Sequence, residues 1–343
     1  MDTALQTKIK ALIKDFKKEH FEENFLFECE SLAEKNQKLY ITLHAQFEKK
    51  SVLELHEMVL KAQLKTILPE HEILLTFTAP KTSSPKKPEK ISLPNIKSII
   101  AVSSGKGGVG KSTLSVQTAY TLAKLNPDLN IGILDADIYG PSIPTMLNLS
   151  SKPELDVNKK LIPFTKDNLQ IMSMGFMVDP EAPIIWRGPM IQKGIRQLFE
   201  DVAWDTIDIM IVDMPPGTGD AHLTMAQNIP LSGAIIVSTP QDIALIDARK
   251  SWHMYQKLNV PIIGLIENMS SFKCENCDHE THIFGHHGAK KSAIENDIPF
   301  ITELPLDLKI RTHADQGEFL VDNNLHLEAF KCISDKILTF QTS

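Results

Sequence analysis

The chain has 343 residues, 42% hydrophobic and 23% charged, with a formal net charge of −7. This composition suits a globular protein of one large or two smaller domains, and 16 glycines, 20 prolines and only 4 cysteines exclude collagen-like, disordered and disulfide-rich secreted classes. No apolar run reaches the roughly 18 residues of a membrane span, and the acidic balance offers no basic footprint for nucleic acid, so neither membrane nor nucleic acid is an expected partner.

Residues 1–25 carry acids from Asp2 onward and lack an apolar targeting core, and the first arginine is Arg187; a cytoplasmic location is the expectation. Residues 1–35 read as mainly helical. Residues 39–47 alternate as a strand, 52–68 have helical periodicity, and 73–78 form a second strand. Together they predict a small α+β module over residues 1–79. Pro80, Pro85 and Pro88, with Lys81, Lys86, Lys87, Lys90 and two serines, then mark a stiff, solvated linker over 80–94.

Beyond the linker, short Ile- and Val-rich runs recur at 99–102, 131–134, 207–212, 234–237 and 262–266, separated by helix-length segments. Runs apolar on both faces predict an α/β domain over 95–343, with a parallel sheet covered by helices on both sides. Ligands on such sheets bind at the carboxyl ends of the strands.

The first of these strands enters Gly105-Lys106-Gly107-Gly108-Val109-Gly110-Lys111-Ser112-Thr113, a G-x-x-x-x-G-K-[ST] run between a strand and a helix. Its glycines let successive N–H groups face a phosphate at a helix N-terminus; Lys111 is placed to bridge the β- and γ-phosphates of ATP, and Ser112 to bind Mg2+. With Lys106 after the first glycine, the run resembles the deviant Walker A of the MinD, ParA and nitrogenase-iron-protein ATPases. That resemblance implies that Lys106 reaches across a homodimer as a point-charge analogue of an arginine finger. It also implies a water-positioning Asp137 in Asp135-Ala136-Asp137, a magnesium-holding Asp213, a γ-phosphate-sensing Gly217 and an adenine-recognising Asn268.

Cys274-Glu275-Asn276-Cys277 follows the 262–266 strand. With Trp186-Arg187-Gly188-Pro189-Met190, Asp213-Met214-Pro215-Pro216-Gly217-Thr218-Gly219-Asp220 and Glu267-Asn268-Met269-Ser270, it makes the chain similar to the Mrp/ApbC iron–sulfur cluster carriers. Glu275 stands where that family often has proline, which alters the local turn and leaves both thiols in place. Two thiolates from one chain leave a 4Fe–4S cluster two ligands short, and a two-fold dimer supplies the second pair. The resemblance therefore implies a homodimer bridging a cluster between Cys274 and Cys277 of each copy, with apo iron–sulfur proteins and assembly scaffolds as partners.

Other readings stay open on the residues alone. His279, His282, His286 and His287 make a Cys2His2 zinc loop on a nucleotide switch possible, and a redox pair is a further option. A MinD/ParA-like spatial regulator needs a basic amphipathic helix. Residues 325–340 have an apolar stripe but only Lys331 and Lys336 as cations, and read as a core helix. Cys29 and Cys332 read as buried structural thiols.

Overall fold

A computed structural model describes residues 3–21, 25–35, 37–45, 50–78, 91–166, 168–177, 188–318 and 326–342. Most of the expected linker, and Trp186 and Arg187 of the WRGPM run, lie outside these residues. Contacts divide the chain into two compact units, Met1–Lys87 and Pro88–Ser343.

The first unit runs α1 (Thr3–His20), β1 (Phe27–Lys35), β2 (Lys38–Ala45), α2 (Lys50–Ile67) and β3 (Glu72–Thr78). Its sheet has the order β1-β2-β3, with β2 antiparallel to β1 and parallel to β3. Leu39, Ile41, Leu43 and Ala45 of β2 all face inward, meeting Ile9, Ile13 and Phe16 of α1 and Leu60 and Leu64 of α2. Residues 1–35 are helical as expected only as far as His20; the strand Phe27–Lys35, at the sheet edge, was not foreseen. Phe27 is the one buried residue of that strand, so no alternation betrays it, and pairing with β2 decides its conformation.

The second unit continues with β4 (Ile96–Ser104), α3 (Lys111–Leu125), β5 (Ile131–Asp135), α4 (Ile143–Met146), β6 (Phe164–Lys166), β7 (Leu169–Ser173), α5 (Gly188–Glu200), β8 (Ile207–Asp213), α6 (Asp220–Asn228) and β9 (Gly233–Ser238). It ends with α7 (Asp242–Lys257), β10 (Ile262–Lys273), β11 (Glu280–Thr281), α8 (Gly288–Glu295), β12 (Phe300–Leu306), α9 (Leu308–Gln316) and α10 (Leu327–Thr342). The sheet order is β11-β10-β9-β4-β8-β5-β7-β6, with β12 also paired to β10. The pairs within it are parallel except β6–β7 and β10–β11.

The apolar runs are continuous because each strand feeds two cores. Ile99, Ala101, Met210 and Val212 pack against α5, α6 and α7 on one face, while Ile100, Val102, Ile209 and Ile211 pack against α3 and α10 on the other. This parallel α/β architecture is the one expected. α10 is the core helix foreseen at 325–340, with Phe330, Ile333 and Ile337 buried. Cys332 on the same helix is exposed, off the buried face of α10, which corrects its assignment as a buried thiol; Cys29 is half-buried, packed at the margin of the first unit's core. No described helix is long and apolar enough to cross a membrane.

Phe330→Ala removes a ring that is 1% exposed and is expected to cost about 3–5 kcal/mol. Lys331→Ala on the solvent side should stay within about 0.5 kcal/mol, a contrast that urea unfolding of the two variants reads directly.

Candidate functional site

β4 ends at Ser104 in the middle of the sheet, and the glycine loop turns there into α3. Two glycines are required by geometry. A Cβ at Gly105 would collide with the backbone of Asp247 on α7, and Gly110 has φ 85° with the Asn268 side chain pressed against it. Asn268 of β10 donates from Nδ2 to the Val109 carbonyl at 2.8 Å, bracing the loop from two strands away. Gly217 donates its N–H to the Ser104 carbonyl at 2.8 Å, which ties the turn after β8 to the start of the loop. Lys106, Gly107 and Gly108 are exposed, Val109 is buried, and Thr113 is half-buried in the first turn of α3.

Lys111, Ser112, Asp137 and Asp213 are brought together. The Lys111 amine lies 2.8 Å from Oδ2 of Asp213 and 3.8 Å from Oδ2 of Asp137. Ser112 donates to Oδ2 of Asp213 at 2.5 Å, and Ser115 to its Oδ1 at 2.7 Å. Asp213 is fully buried, so these donors are what make its charge tolerable. Burial raises the Asp137 carboxyl above its ordinary value, with Lys111 opposing that shift.

Two groups that the motifs did not single out organise this site. Asp135 accepts the N–H groups of Asp137 and Ile143 and the Ser173 hydroxyl, so it shapes the segment carrying Asp137. Burial, then the charge of Asp213, pushes it up to about 7. His222 of α6 donates from Nδ1 to the Pro215 carbonyl at 2.8 Å and accepts the Tyr255 hydroxyl at Nε2, 2.9 Å away. It thereby fastens the turn after Asp213 to α7, and its burial lowers it to about 4. A lone histidine in an amphipathic helix carries no signal of this role; Asp135 was visible only as a partner of Asp137.

The cysteine pair occupies a different end of the same framework. β10 runs past the end of β9 and folds back into β11, which pairs Phe272 with Thr281 and Lys273 with Glu280. At the tip, the Cys274 N–H meets the His279 carbonyl at 3.0 Å and the Asp278 N–H meets the Cys274 carbonyl at 2.9 Å. Cys277 is exposed and Cys274 half-buried. The N–H groups of Asn276 and Cys277 hold the Cys274 thiol below its ordinary value, favouring the thiolate that binds soft metal centres. Of the nearby histidines, His282 donates to the Ser270 carbonyl, His287 bonds Glu303, His286 lies against both their rings, and His279 is exposed.

A parallel sheet, a Lys106-bearing glycine loop and an aspartate at the end of β8 define a P-loop NTPase of the deviant Walker A class. Residues 95–338 match the family model described as ParA, NUBPL iron-transfer P-loop NTPase, and the chain belongs to that family. A mouse relative named iron-sulfur cluster transfer protein NUBPL is 49% identical over 234 residues, 68% of this chain and 73% of its own. A Helicobacter pylori relative named iron-sulfur cluster carrier protein is 43% identical over 268 residues, 77% of this chain and 72% of its own. Among solved structures, a nucleotide-binding protein from Archaeoglobus fulgidus in complex with ADP is 38% identical with TM-score 0.57, covering 65% of this chain and 87% of that one. The cell-division ATPase MinD of Pyrococcus furiosus, 19% identical with TM-score 0.54 over 71% of this chain and 98% of its own, shares the fold.

The buried imidazole predicts a pH dependence. Unfolded, His222 titrates near 6.5, and folded near 4. Between those values the unfolded chain binds more protons, so stability is lost as pH falls through this window, by about 3 kcal/mol in full. Asp135, pushed up to about 7, works in the opposite direction over the same range, so the His222 contribution is read as a difference: urea unfolding at pH 7 and pH 4.5 should find acidification less favourable to stability in the wild type than in His222→Gln.

Proposed function

We propose that the protein binds and slowly hydrolyses ATP at the glycine loop, and that two copies bridge an iron–sulfur cluster, most economically 4Fe–4S, which they deliver to apo-proteins after receiving it from a cytosolic assembly scaffold. The observation that carries this reading is the exposed hairpin holding Cys274 and Cys277 at the end of the strand whose Asn268 braces the nucleotide loop. An exposed thiol pair can donate half of a cluster's ligands and leave the other half to a second copy.

In this reading, N–H groups of residues 105–113 cradle the phosphates, and Lys111 leaves Asp213 to bridge the β- and γ-phosphates. The Ser112 hydroxyl and Asp213 carboxylate are hard oxygen donors already in contact, a set that fits Mg2+, which when bound neutralises the phosphate charge. Asp137 orients the attacking water. Lys106, exposed on the loop, reaches the partner's phosphoryl group, and the Gly217 N–H exchanges the Ser104 carbonyl for the γ-phosphate and so registers it. Asn268, while holding Val109, contacts adenine through its remaining amide group. Residues 1–79 act as a separate module on the 80–94 linker, leaving 95–343 as the ATPase unit. A membrane-cycling role receives no comparable support, since the apolar stripe of α10 is turned into the core.

Anaerobic reconstitution with iron and sulfide is expected to load about four irons per two chains. Cys274→Ala/Cys277→Ala should lose the iron together with transfer to an apo-acceptor; iron retained by that variant at wild-type level would remove the site. Lys106→Ala is expected to keep ATP binding but to lower phosphate release at least about tenfold, as loss of a trans-acting cation does.

A further inference from the structure

Outside the nucleotide loop and the cysteine hairpin, one cluster of ligating side chains forms among the described residues. It comprises Glu267 of β10, His287 at the start of α8 and Glu303 of β12, with one donor atom of each within 4.8 Å of the others. The backbone builds it. β10 and β12 are parallel neighbours whose register pairs Glu267 with Glu303, so the two carboxylates stand side by side. His287 caps α8 with φ 56°, and its Nδ1 lies 3.1 Å from Oε2 of Glu303.

Glu267 supplies the independent observation. Its side chain is 0% exposed. Oε2 accepts the Ala289 N–H at 2.5 Å, which accounts for one oxygen as a cap on α8. Oε1 is buried with no hydrogen-bond partner. A bare carboxylate oxygen inside a protein, beside a second carboxylate, is costly unless a cation completes it.

We propose that Glu267, His287 and Glu303 form a binding site for one divalent first-row transition ion. Two carboxylates favour a cation and the imidazole favours the borderline ions over Mg2+ and Ca2+, with the remaining coordination positions left to water. No cysteine belongs to the cluster, so the ion is distinct from anything the hairpin thiols hold. It would pin the start of α8 to two sheet strands, next to the residue that braces the nucleotide loop.

The test uses the full chain carrying Cys274→Ser/Cys277→Ser, without nucleotide, titrated with Zn2+ against a chromophoric chelator. One zinc per chain is expected, with affinity falling at least about tenfold when either His287→Ala or Glu303→Gln is added. Zinc should also raise the melting temperature of the parent and not of the Glu303→Gln variant. Glu303 is exposed and its replacement is close to isosteric, so the fold survives, and circular dichroism checks this. Absence of tight zinc binding in the parent overturns the proposal. So does zinc binding that Glu303→Gln leaves intact and His282→Ala abolishes, which would assign the ion to the neighbouring imidazoles.

Discussion

Everything at the nucleotide end of the protein depends on how the Asp213 charge is satisfied. Its carboxylate ends β8 with no solvent exposure, and Lys111, Ser112 and Ser115 of a single helix turn supply its partners. A lone carboxylate there would be untenable, so the start of α3 is locked to the end of β8. The sheet adds a second constraint. Asp135 pairs in register with Asp213 on the adjacent strand, and two buried carboxylates side by side cannot both be comfortably ionised. Burial and then the Asp213 charge push Asp135 up to about 7, so it changes charge near neutrality, and its hydrogen bonds shape the segment that carries Asp137. On the function proposed above, a site wired around one buried charge is poised for rearrangement, because incoming phosphates would compete with Asp213 for Lys111.

β10 connects that site to the thiols. Its first half lies in the sheet between β9 and β12; Asn268 then touches the loop, and the remainder, past the end of β9 but paired again with β12 at Phe272, builds the hairpin with β11. Only five residues, 269–273, separate Asn268 from Cys274, and none of them is glycine. On the account proposed above, a change at Val109 need only shift this strand to alter how two hairpins face each other. Glu267, one residue before Asn268, lies at the same node.

What could be read in advance follows from physical signal strength. The glycine loop was legible because close approach to Asp247 and a left-handed turn at Gly110 admit almost nothing else. Central strands were legible because burial on both faces demands unbroken Ile and Val. β7 escaped because Gln170 and Ser173 interrupt its buried run, and β12 because Thr302, Glu303 and Pro305 mask a strand set at the edge. β1 escaped because an edge strand with one buried side chain has no pattern to show. The cysteine pair was visible by spacing, but its hairpin was not. The bracing by Asn268 and His222 arises from tertiary packing that local sequence does not encode.

The central claim is that nucleotide loop and cysteine hairpin are two ends of one mechanical element. Hydrogen–deuterium exchange on the full chain, with and without ATP and Mg2+, tests it most directly. Amides of residues 267–281 are predicted to change protection on nucleotide binding together with those of 105–113, and the coupled change should vanish in Asn268→Ala. Protection altered at the loop alone, with the hairpin amides unmoved, would contradict the account.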